Sequence, residues 1–451
     1  MPLPCPLPPI EPFQRLQVND GLLITAQLWQ QAHEYHRQRQ NIHYQALNQA
    51  GIVWGLGVCL IPAPMDVAEK YRGQSWLEIQ PGLAIDATGN PIIVPEPIAF
   101  RLVSPLPLEG VSTVYLTLRY VDPDQLQGQG DRRFVQETFR VDETVTPPVS
   151  GAIELCRIVL QAGQDIQLTR SPDAFAPSVN QPDLRYRSQA QVRPLNLVRV
   201  AQAIASTHPP DQTVAANLSY LLQSLEGLYP AMQGTAVETV VLQESARFDY
   251  DLLHLSYAHL QALTAVEKAF LQQFLETGAI VFVELSLQNA NLTELCTVRQ
   301  QLQSAIASLL SNQDVRDTQR ELETELVAVD ANINEQLAAI AVPLIDMVSD
   351  GTSSIDTIAP IGRDHLLHTR PFLFAQLPCL AFNPIYLFNW GGIVLSIGAL
   401  SSAWGIDDAL SLPRETIRSA QEMGINLLHF AWKRRQLTQL QQKVAIAARS
   451  S

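Results

Sequence analysis

The residues that could act as nucleophiles are few and widely spaced. Five cysteines occur, mostly with apolar neighbours: Cys5, Cys59, Cys156, Cys296 and Cys379. Their long intervals do not match the paired spacing of zinc sites, so we expect buried, reduced thiols in a cytosolic protein. Ser286 follows an apolar run that we predict to be a buried strand. Neither Ser286 nor Cys379 lies in the GxSxG or GxCxG turn that a hydrolase or amidotransferase uses to present its nucleophile.

Histidines form two groups. His33, His36 and His43 fall within one predicted helix, where His36 and His43 share a face two turns apart. The second group is the DHLLH segment at residues 364–368, which could offer three metal ligands from one loop. The first group has no third ligand at helical spacing, and nothing distant pairs obviously with the second. We therefore favour packing or interface roles for both groups over acid–base or metal chemistry, and we predict no cofactor.

Glycine clusters and basic clusters are also sparse. Gly55-Leu56-Gly57 and Gly391-Gly392 fit neither GxGxxG nor a Walker loop, so nucleotide binding has little support. Lys433, Arg434 and Arg435 form a basic cluster near the end of a predicted helix, where they complement the helix dipole. The same cluster is a candidate contact for an acidic partner or for lipid headgroups.

The composition limits the classes of function. The 451 residues correspond to about two to four domains at roughly 100–200 residues each. Hydrophobic residues make up 47% and charged residues 16%, which excludes a disordered chain. A net charge of −14 disfavours a nucleic-acid-binding protein. Only four of the 30 basic residues are lysines, and arginine without lysine is typical of buried protein–protein contacts. We therefore expect surfaces covered by neighbouring subunits.

No segment predicts export or a membrane span. The first 24 residues are rich in proline, with neither a basic start nor an apolar run, which excludes a signal peptide. They predict either an extended arm that lies on a partner or on its own domain, or a disordered tail. Residues 372–404 are long and uncharged, but Pro378, Pro384 and Gly391-Gly392 interrupt them, which favours buried strands. We predict a cytoplasmic protein that works within a larger assembly, with membrane association as an alternative.

The hydrophobic period changes along the first half of the chain. A helical period over residues 25–50, with Thr25 as N-cap, predicts one helix. Short β-branched and aromatic runs then predict an antiparallel sandwich or barrel over residues 51–170. The predicted strands are residues 52–61, 77–80, 83–86, 92–94, 113–121, 133–141 and 153–160. Residues 171–194 are polar and contain prolines, and we interpret them as a surface linker.

Helices and strands alternate over residues 195–442. Residues 195–206 and 214–228 are amphipathic, while 237–242, 251–256 and 279–285 predict strands. Thr264 and Glu267 form a capping box that begins a helix, and Gly278 ends it before the next strand. This strand–helix–strand pattern predicts a doubly wound parallel sheet. The remaining predictions are a helical hairpin inserted at residues 291–341, strands at 385–389 and 393–398, helices beginning at Pro413 and over 425–442, and a tail at 443–451.

Two stretches near the N-terminus carry a family resemblance. NDGLLITAQLWQQAHEYHRQRQNIHYQALNQAGIVWGLGV at residues 19–58 resembles the opening of proteins encoded with phage-tail-like contractile injection systems. QPGLAIDATGNPIIVPEP at residues 80–97 resembles their companion β motif. Residues 255–284 and 415–440 resemble an uncharacterised domain of the class I glutamine-amidotransferase-like superfamily, without its nucleophile turn. The glutamine-rich, lysine-poor composition resembles cyanobacterial proteins.

The resemblances imply a fold class and a function. The fold would be α+β and multidomain: an N-terminal helix with an antiparallel β-sandwich or barrel, then a doubly wound, amidotransferase-like α/β domain with a helical hairpin insertion. The function would be a structural, non-catalytic component of the particle, at the baseplate periphery or in a crown-like accessory. Its expected partners are other particle subunits and further copies of itself. The alternatives are an enzyme or degenerate enzyme at an amidotransferase-like site, and a membrane-surface adaptor.

We select interface candidates from the aromatic and basic residues of these segments. Two groups are chosen, one around the first helix and one around the late tryptophans and the basic cluster. They are His33, His36, Arg37, Arg39, His43, Trp54, Trp390, Trp404, Trp432, Lys433, Arg434 and Arg435.

Overall fold

The computed structural model describes residues 11–104, 109–122, 136–148, 151–161, 168–194, 196–204, 212–243, 249–309, 316–348, 360–380, 383–405 and 412–441. The chain divides into two compact units, Met1–Arg193 and Pro194–Ser451. The structure is a mixed α+β, multidomain protein. The predicted tail at 443–451, the first ten residues of the proline arm and part of the predicted 133–141 strand lie outside the described residues.

Unit 1 contains one long helix and a series of short antiparallel strands. The helix is α1 (Ala26–Leu47), and Thr25 caps its N-terminus by accepting a hydrogen bond from the Leu28 amide. The strands are β1 (Gly51–Gly55), β2 (Val58–Ile61), β3 (Trp76–Ile79), β4 (Gly82–Ile85), β5 (Pro91–Val94), β6 (Ile98–Arg101), β7 (Val111–Val121), β8 (Thr138–Thr144), β9 (Ile153–Gln161) and β10 (Pro182–Asp183). A short 3₁₀ turn covers Glu69–Tyr71.

Three small sheets of unit 1 share one hydrophobic core. Their strand orders are β1-β4-β5, β2-β3-β6 and β10-β9-β7-β8, and every pairing is antiparallel. Residues from all three sheets, such as Ile52, Leu77 and Leu116, pack into a single buried cluster. Strand β6 was absent from the sequence prediction, because Pro95 and Pro97 directly precede it and prolines interrupt strand patterns.

The segment 171–194 was predicted as a surface linker, and the structure corrects this interpretation. Strand β10 lies within it and pairs with β9. Further along, the amide of Ile52 donates to the carbonyl of Ser188, and the amide of Ala190 donates to the carbonyl of Ile52. The segment therefore satisfies backbone groups at two sheet edges, which its polar composition did not reveal.

Unit 2 is built around a six-stranded sheet with helices on both faces. Its strands are β11 (Asn196–Val198), β12 (Val200–Ile204), β13 (Met232–Gly234), β14 (Glu238–Val241), β15 (Leu252–Ser256), β16 (Ile280–Leu285), β17 (Cys379–Leu380), β18 (Asn383–Pro384), β19 (Tyr386–Trp390) and β20 (Ile393–Ile397). Its helices are α2 (Gln212–Leu228), α3 (Tyr257–Gln261), α4 (Ala265–Glu276), α5 (Thr293–Leu309), α6 (Arg316–Val348), α7 (Leu366–Thr369) and α8 (Arg414–Gln441). A 3₁₀ turn covers Leu400–Ala403.

The main sheet has the order β14-β12-β15-β16-β20-β19 and is parallel except for β19. Alternate residues of its strands enter two different cores: Ile280 and Phe282 pack with α2 and α8, while Val281 and Val283 pack with α4, α5 and α6. We call these the α8 face and the α6 face. Strands buried on both faces explain the near-continuous apolar runs of the sequence.

Two helix predictions in unit 2 were wrong. Residues 196–204 form strands β11 and β12, not an amphipathic helix, because a central strand covered on both faces has no polar face to distinguish its period from a helical one. The two late helices are the single helix α8, which passes through Gly424 without a break. None of the helices in the described ranges has the length and apolar composition that a membrane span requires.

Candidate functional site

The carboxyl edge of the parallel sheet is the place where an α/β fold would hold a ligand. The first crossover, from β12 to β14, carries α2 on the α8 face, and the crossover from β15 to β16 carries α4 on the α6 face. The chain therefore changes direction between β12 and β15, which is where α/β sheets bind ligands. Gln202 and His254 lie opposite each other in this pair of strands, and both are buried.

His254 is accompanied by a carboxylate on the next strand. Its Nε2 atom lies 3.5 Å from Oε2 of Glu284 on β16. The Glu284 carboxylate is held from the other side by Ser401, whose backbone amide donates to Oε1 at 2.8 Å and whose hydroxyl donates to Oε2. In a nucleophilic triad the hydroxyl would bond to the imidazole. Here it bonds to the carboxylate, so the arrangement connects β15, β16 and the turn after β20 without activating a nucleophile.

The turns after the parallel strands place their hydroxyl groups in local hydrogen bonds. Ala399 occupies the left-handed position (φ 51°) after β20, where a nucleophile turn would carry serine or cysteine. The Ser256 hydroxyl accepts the His259 amide as the N-cap of α3. The Ser286 hydroxyl accepts the Asn289 amide at 3.2 Å. Both hydroxyl groups are engaged in turn formation, so the alternative nucleophile proposed from the sequence, Ser286, has a structural partner.

The cysteines differ in exposure. Cys156 is fully buried, and burial raises its pKa to about 12. Cys296 is also buried, and its sulfur lies 3.8 Å from the hydroxyl of Tyr386. Burial raises the Cys296 pKa, which keeps the thiol protonated. Cys379, in contrast to the expectation of buried thiols, is exposed.

The DHLLH segment forms a helix start and no metal cluster. His365 is the N-cap of α7, where Nδ1 accepts the Leu367 amide, and its Nε2 lies 3.3 Å from Oδ1 of Asn389. His368 is buried. Across the described parts of the chain, no group of three histidine, cysteine or acidic residues is arranged to hold a metal ion.

A tight turn in unit 1 joins the two stretches that carry the injection-system resemblance. The Asp86 carboxylate accepts hydrogen bonds from the amide and hydroxyl of Thr88 and from the amide and side chain of Asn90, at 2.8–3.0 Å. Gly89 within this turn has φ +83° and lies so close to α1 that an added Cβ would clash with the backbone oxygen of Asn41. We call residues 86–90 the docking turn, because α1 lies directly against it.

Helix α1 contacts the docking turn and the neighbouring strands with one side. The side-chain amides of Asn41 and Asn90 are 2.7 Å apart, and the Gln45 side chain donates to the carbonyl of Thr88. Arg37 forms ion pairs with Glu34 and, at 3.2 Å, with Asp122. Burial disfavours the Arg37 charge, but these carboxylates raise its pKa above the usual value. Arg37, one of the predicted interface residues, therefore forms its ion pairs within unit 1.

The opposite side of α1 is exposed and carries His36, Arg39 and His43, while His33 is exposed one turn before Arg37. No residue of α1 is buried. The sheet β1-β4-β5 also presents apolar side chains outward. Trp54, 59% exposed, lies opposite Leu83, which in turn lies opposite Ile93, 60% exposed.

The second group of interface candidates requires correction. Trp404 is fully buried and donates from Nε1 to the carbonyl of Ala420, and Trp390 is buried in the sheet, stacked on Phe388. These two tryptophans pack inside unit 2 and present no surface to a partner. Trp432 is half-buried.

The basic cluster is divided by the helix that carries it. Arg434 donates to the carbonyl of Ala279 at 2.8 Å, and burial lowers its pKa. Arg435 is buried, with Nη1 3.6 Å from Oδ1 of Asp251. Burial raises the pKa of that carboxyl. Arg434 and Arg435 therefore bind α8 to the sheet, and Lys433, half-buried, lies one turn after His429 on the same helix.

Two chemically notable features were not selected from the sequence. One is the buried pair of His254 and Glu284, and the other is the exposed Arg370. A signal existed for the first, because His254 interrupts the apolar run DLLHLS of a predicted strand.

Comparisons with known proteins are sparse. No protein-family model matches the sequence. No curated protein matches it either. Among solved structures, a crystal structure of TssK aligns with 78% of this chain, at 10% sequence identity and a TM-score of 0.22. The chain spans 65% of the length of that protein. An alignment with so low a TM-score carries no argument about fold or function.

Proposed function

We propose that this chain is a structural, non-catalytic subunit of a phage-tail-like contractile injection particle, at the baseplate periphery or in a crown-like accessory. It acts through contacts with other particle subunits and with further copies of itself, in the cytoplasm. Unit 2 serves as a degenerate amidotransferase-like domain that contributes surface in place of catalysis.

One observation carries the proposal. The two stretches that resemble injection-system proteins, residues 19–58 and 80–97, fold against each other through the docking turn. The resemblance therefore covers a single piece of structure, a helix seated on a β-hairpin, and not two unrelated matches. The exposed outer side of α1 gives this piece a surface with which to join a particle.

Unit 2 supports the non-catalytic part of the proposal. The Glu284 carboxylate is bonded to Ser401, and the left-handed turn after β20 carries Ala399. Neither arrangement supplies an activated nucleophile.

The test is to isolate contractile particles from cells that produce them and this chain, and to measure the chain by mass spectrometry. We expect the chain in the particles, and a reduced amount for the variant H36A/R39A/H43A, which truncates the exposed side of α1. A matched control, K268A/Q272A/Q273A, truncates three exposed residues of α4 and should be incorporated normally. Particles that lack the wild-type chain would overturn the proposal.

A further inference from the structure

The α8 face of unit 2 carries a small basic and aromatic surface. His429 and Lys433 are one turn apart on α8. The ring of Tyr229 lies 6.1 Å from the ring of His429 and 6.4 Å from that of Phe372, two residues after the exposed Arg370. We call Arg370, His429 and Lys433 the basic patch.

The electrostatics of the patch agree with its geometry. Burial lowers the pKa of His429, and the cations of Lys433 and Arg370 lower it further. The charges of Lys433 and Arg370 therefore both disfavour protonation of His429. Beside them, Leu373 is 80% exposed. Arginine and aromatic residues are enriched at protein–protein interfaces, so exposed apolar surface beside these cations is typical of a protein-binding surface.

The α6 face carries the opposite charge. Asp317, Glu321 and Glu325 recur every four residues along the first half of α6, so they form one exposed stripe, which we call the acidic stripe. Only the second half of α6 is anchored in the core, through residues such as Ile333 and Leu337.

These two surfaces cannot meet within one molecule. The basic patch belongs to the helix and loop that cover one face of the main sheet, and α6 packs on the other face. A contact between them therefore requires two molecules. Because the two surfaces differ, the contact would be head-to-tail and would continue into a ring or an open stack.

We propose that the basic patch of one copy binds the acidic stripe of a second copy. The carboxylates of the stripe, about 6 Å apart along the helix, would pair with Arg370 and Lys433, while Leu373 would bury apolar surface beside them. This inference rests on the proposed assembly function and names one partner within it, a second copy of this chain. We choose a second copy as the partner because the acidic stripe complements the basic patch in charge, and because acidic surface is abundant in a chain whose net charge is −14.

The test uses the purified full chain in sedimentation velocity over a wide range of protein concentration. We expect concentration-dependent association at about 50 mM salt that weakens at about 500 mM, because salt screens exposed charges. The variant R370E/K433E should associate at least about tenfold more weakly, and so should E321K/E325K. Mixed in equal amounts, the two variants should associate again, since each then offers the surface that complements the other.

The controls separate charge pairing from other effects. The variant K268E/R414E makes the same change in net charge at exposed positions away from both surfaces and should associate like the wild type. The neutral variant R370Q/K433Q should also weaken association, and circular dichroism should show that all variants are folded. A wild-type chain that remains monomeric, or a mixture of charge-reversed variants that fails to associate, would overturn the inference. Either result leaves the particle proposal standing if the chain is found in particles.

Discussion

Helices α1 and α8 are both long and amphipathic, yet different interactions hold them in place. Nine residues of α8 are buried, and the amide of Asn426, 0% exposed, bonds to the backbone of Leu367 and Phe372. In α1 no residue is buried, and the helix is held by polar contacts at the docking turn. The difference separates a helix held by burial of its side chains from a helix held by polar contacts.

The largest expected effect comes from Asn426. Its side chain accepts from the Phe372 amide at 2.9 Å and donates to the carbonyls of Leu367 and Phe372 at 2.8 Å. Asn426→Ala leaves these buried backbone groups without partners and should cost about 3 kcal/mol. Chemical denaturation followed by hydrogen exchange at residues 366–374 measures the loss.

A matched change in α1 tests the comparison. Gln40 is an exposed amide on α1, so Gln40→Ala should change the free energy of unfolding by less than about 0.5 kcal/mol. Equal losses for the two variants would break the distinction between core helix and surface helix.

Gly89 tests the contact between α1 and the docking turn. In Gly89→Ala the new Cβ meets the Asn41 backbone oxygen, and the backbone must keep φ +83°. We expect a loss of about 2 kcal/mol and faster hydrogen exchange across residues 26–47 as α1 lifts.

Gly110 provides the control for that substitution. It also has positive φ, but nothing lies within 4 Å of its added Cβ. Gly110→Ala should cost about 1 kcal/mol through backbone strain alone and leave the exchange of α1 unchanged. Faster exchange in both variants would mean that strain, not the contact with α1, causes the effect.

Gly424 tests whether packing outweighs helix propensity in α8, because the two predict stability changes of opposite sign. Alanine normally stabilises a helix interior relative to glycine. In Gly424→Ala, however, the Cβ would lie 2.6 Å from Leu221 Cδ1 and 2.8 Å from Trp404 Nε1. We expect a net loss of about 1.5 kcal/mol in thermal unfolding. On α1 the ordinary rule should hold, so Ala46→Gly, at an exposed position, should lose up to about 1 kcal/mol.

The smallest expected effect is a pH dependence of the α8 face. Burial lowers the pKa of both His365 and His429 in the folded state. The unfolded chain therefore binds more protons below its own histidine pKa, about 6.5, and stability falls as the pH drops from there towards the folded pKa values. Thermal unfolding between pH 7.5 and 5.5 should show this slope, and H365Q/H429Q should reduce it. Asn426→Ala should lower stability at every pH and keep the slope.

Part of the site was within reach of the sequence. The capping box of Thr264 and Glu267 and the glycine stop at Gly278 are local signals, and the structure confirms both. The division of Lys433 from Arg434 and Arg435 was out of reach, because adjacent residues on a helix point 100° apart and only the packing partner decides which is buried.

The sequence by itself determined the local elements: the strands between turn residues, the parallel α/β pattern, the inserted helical pair and the lack of a nucleophile turn. These depend on spacing and residue type within a few positions. Tertiary structure alone decided that residues 196–204 form two strands, that Trp404 lies in the core, and that α1 lies on the docking turn. Those outcomes depend on which surfaces meet across long intervals of chain, where burial overrides local preference.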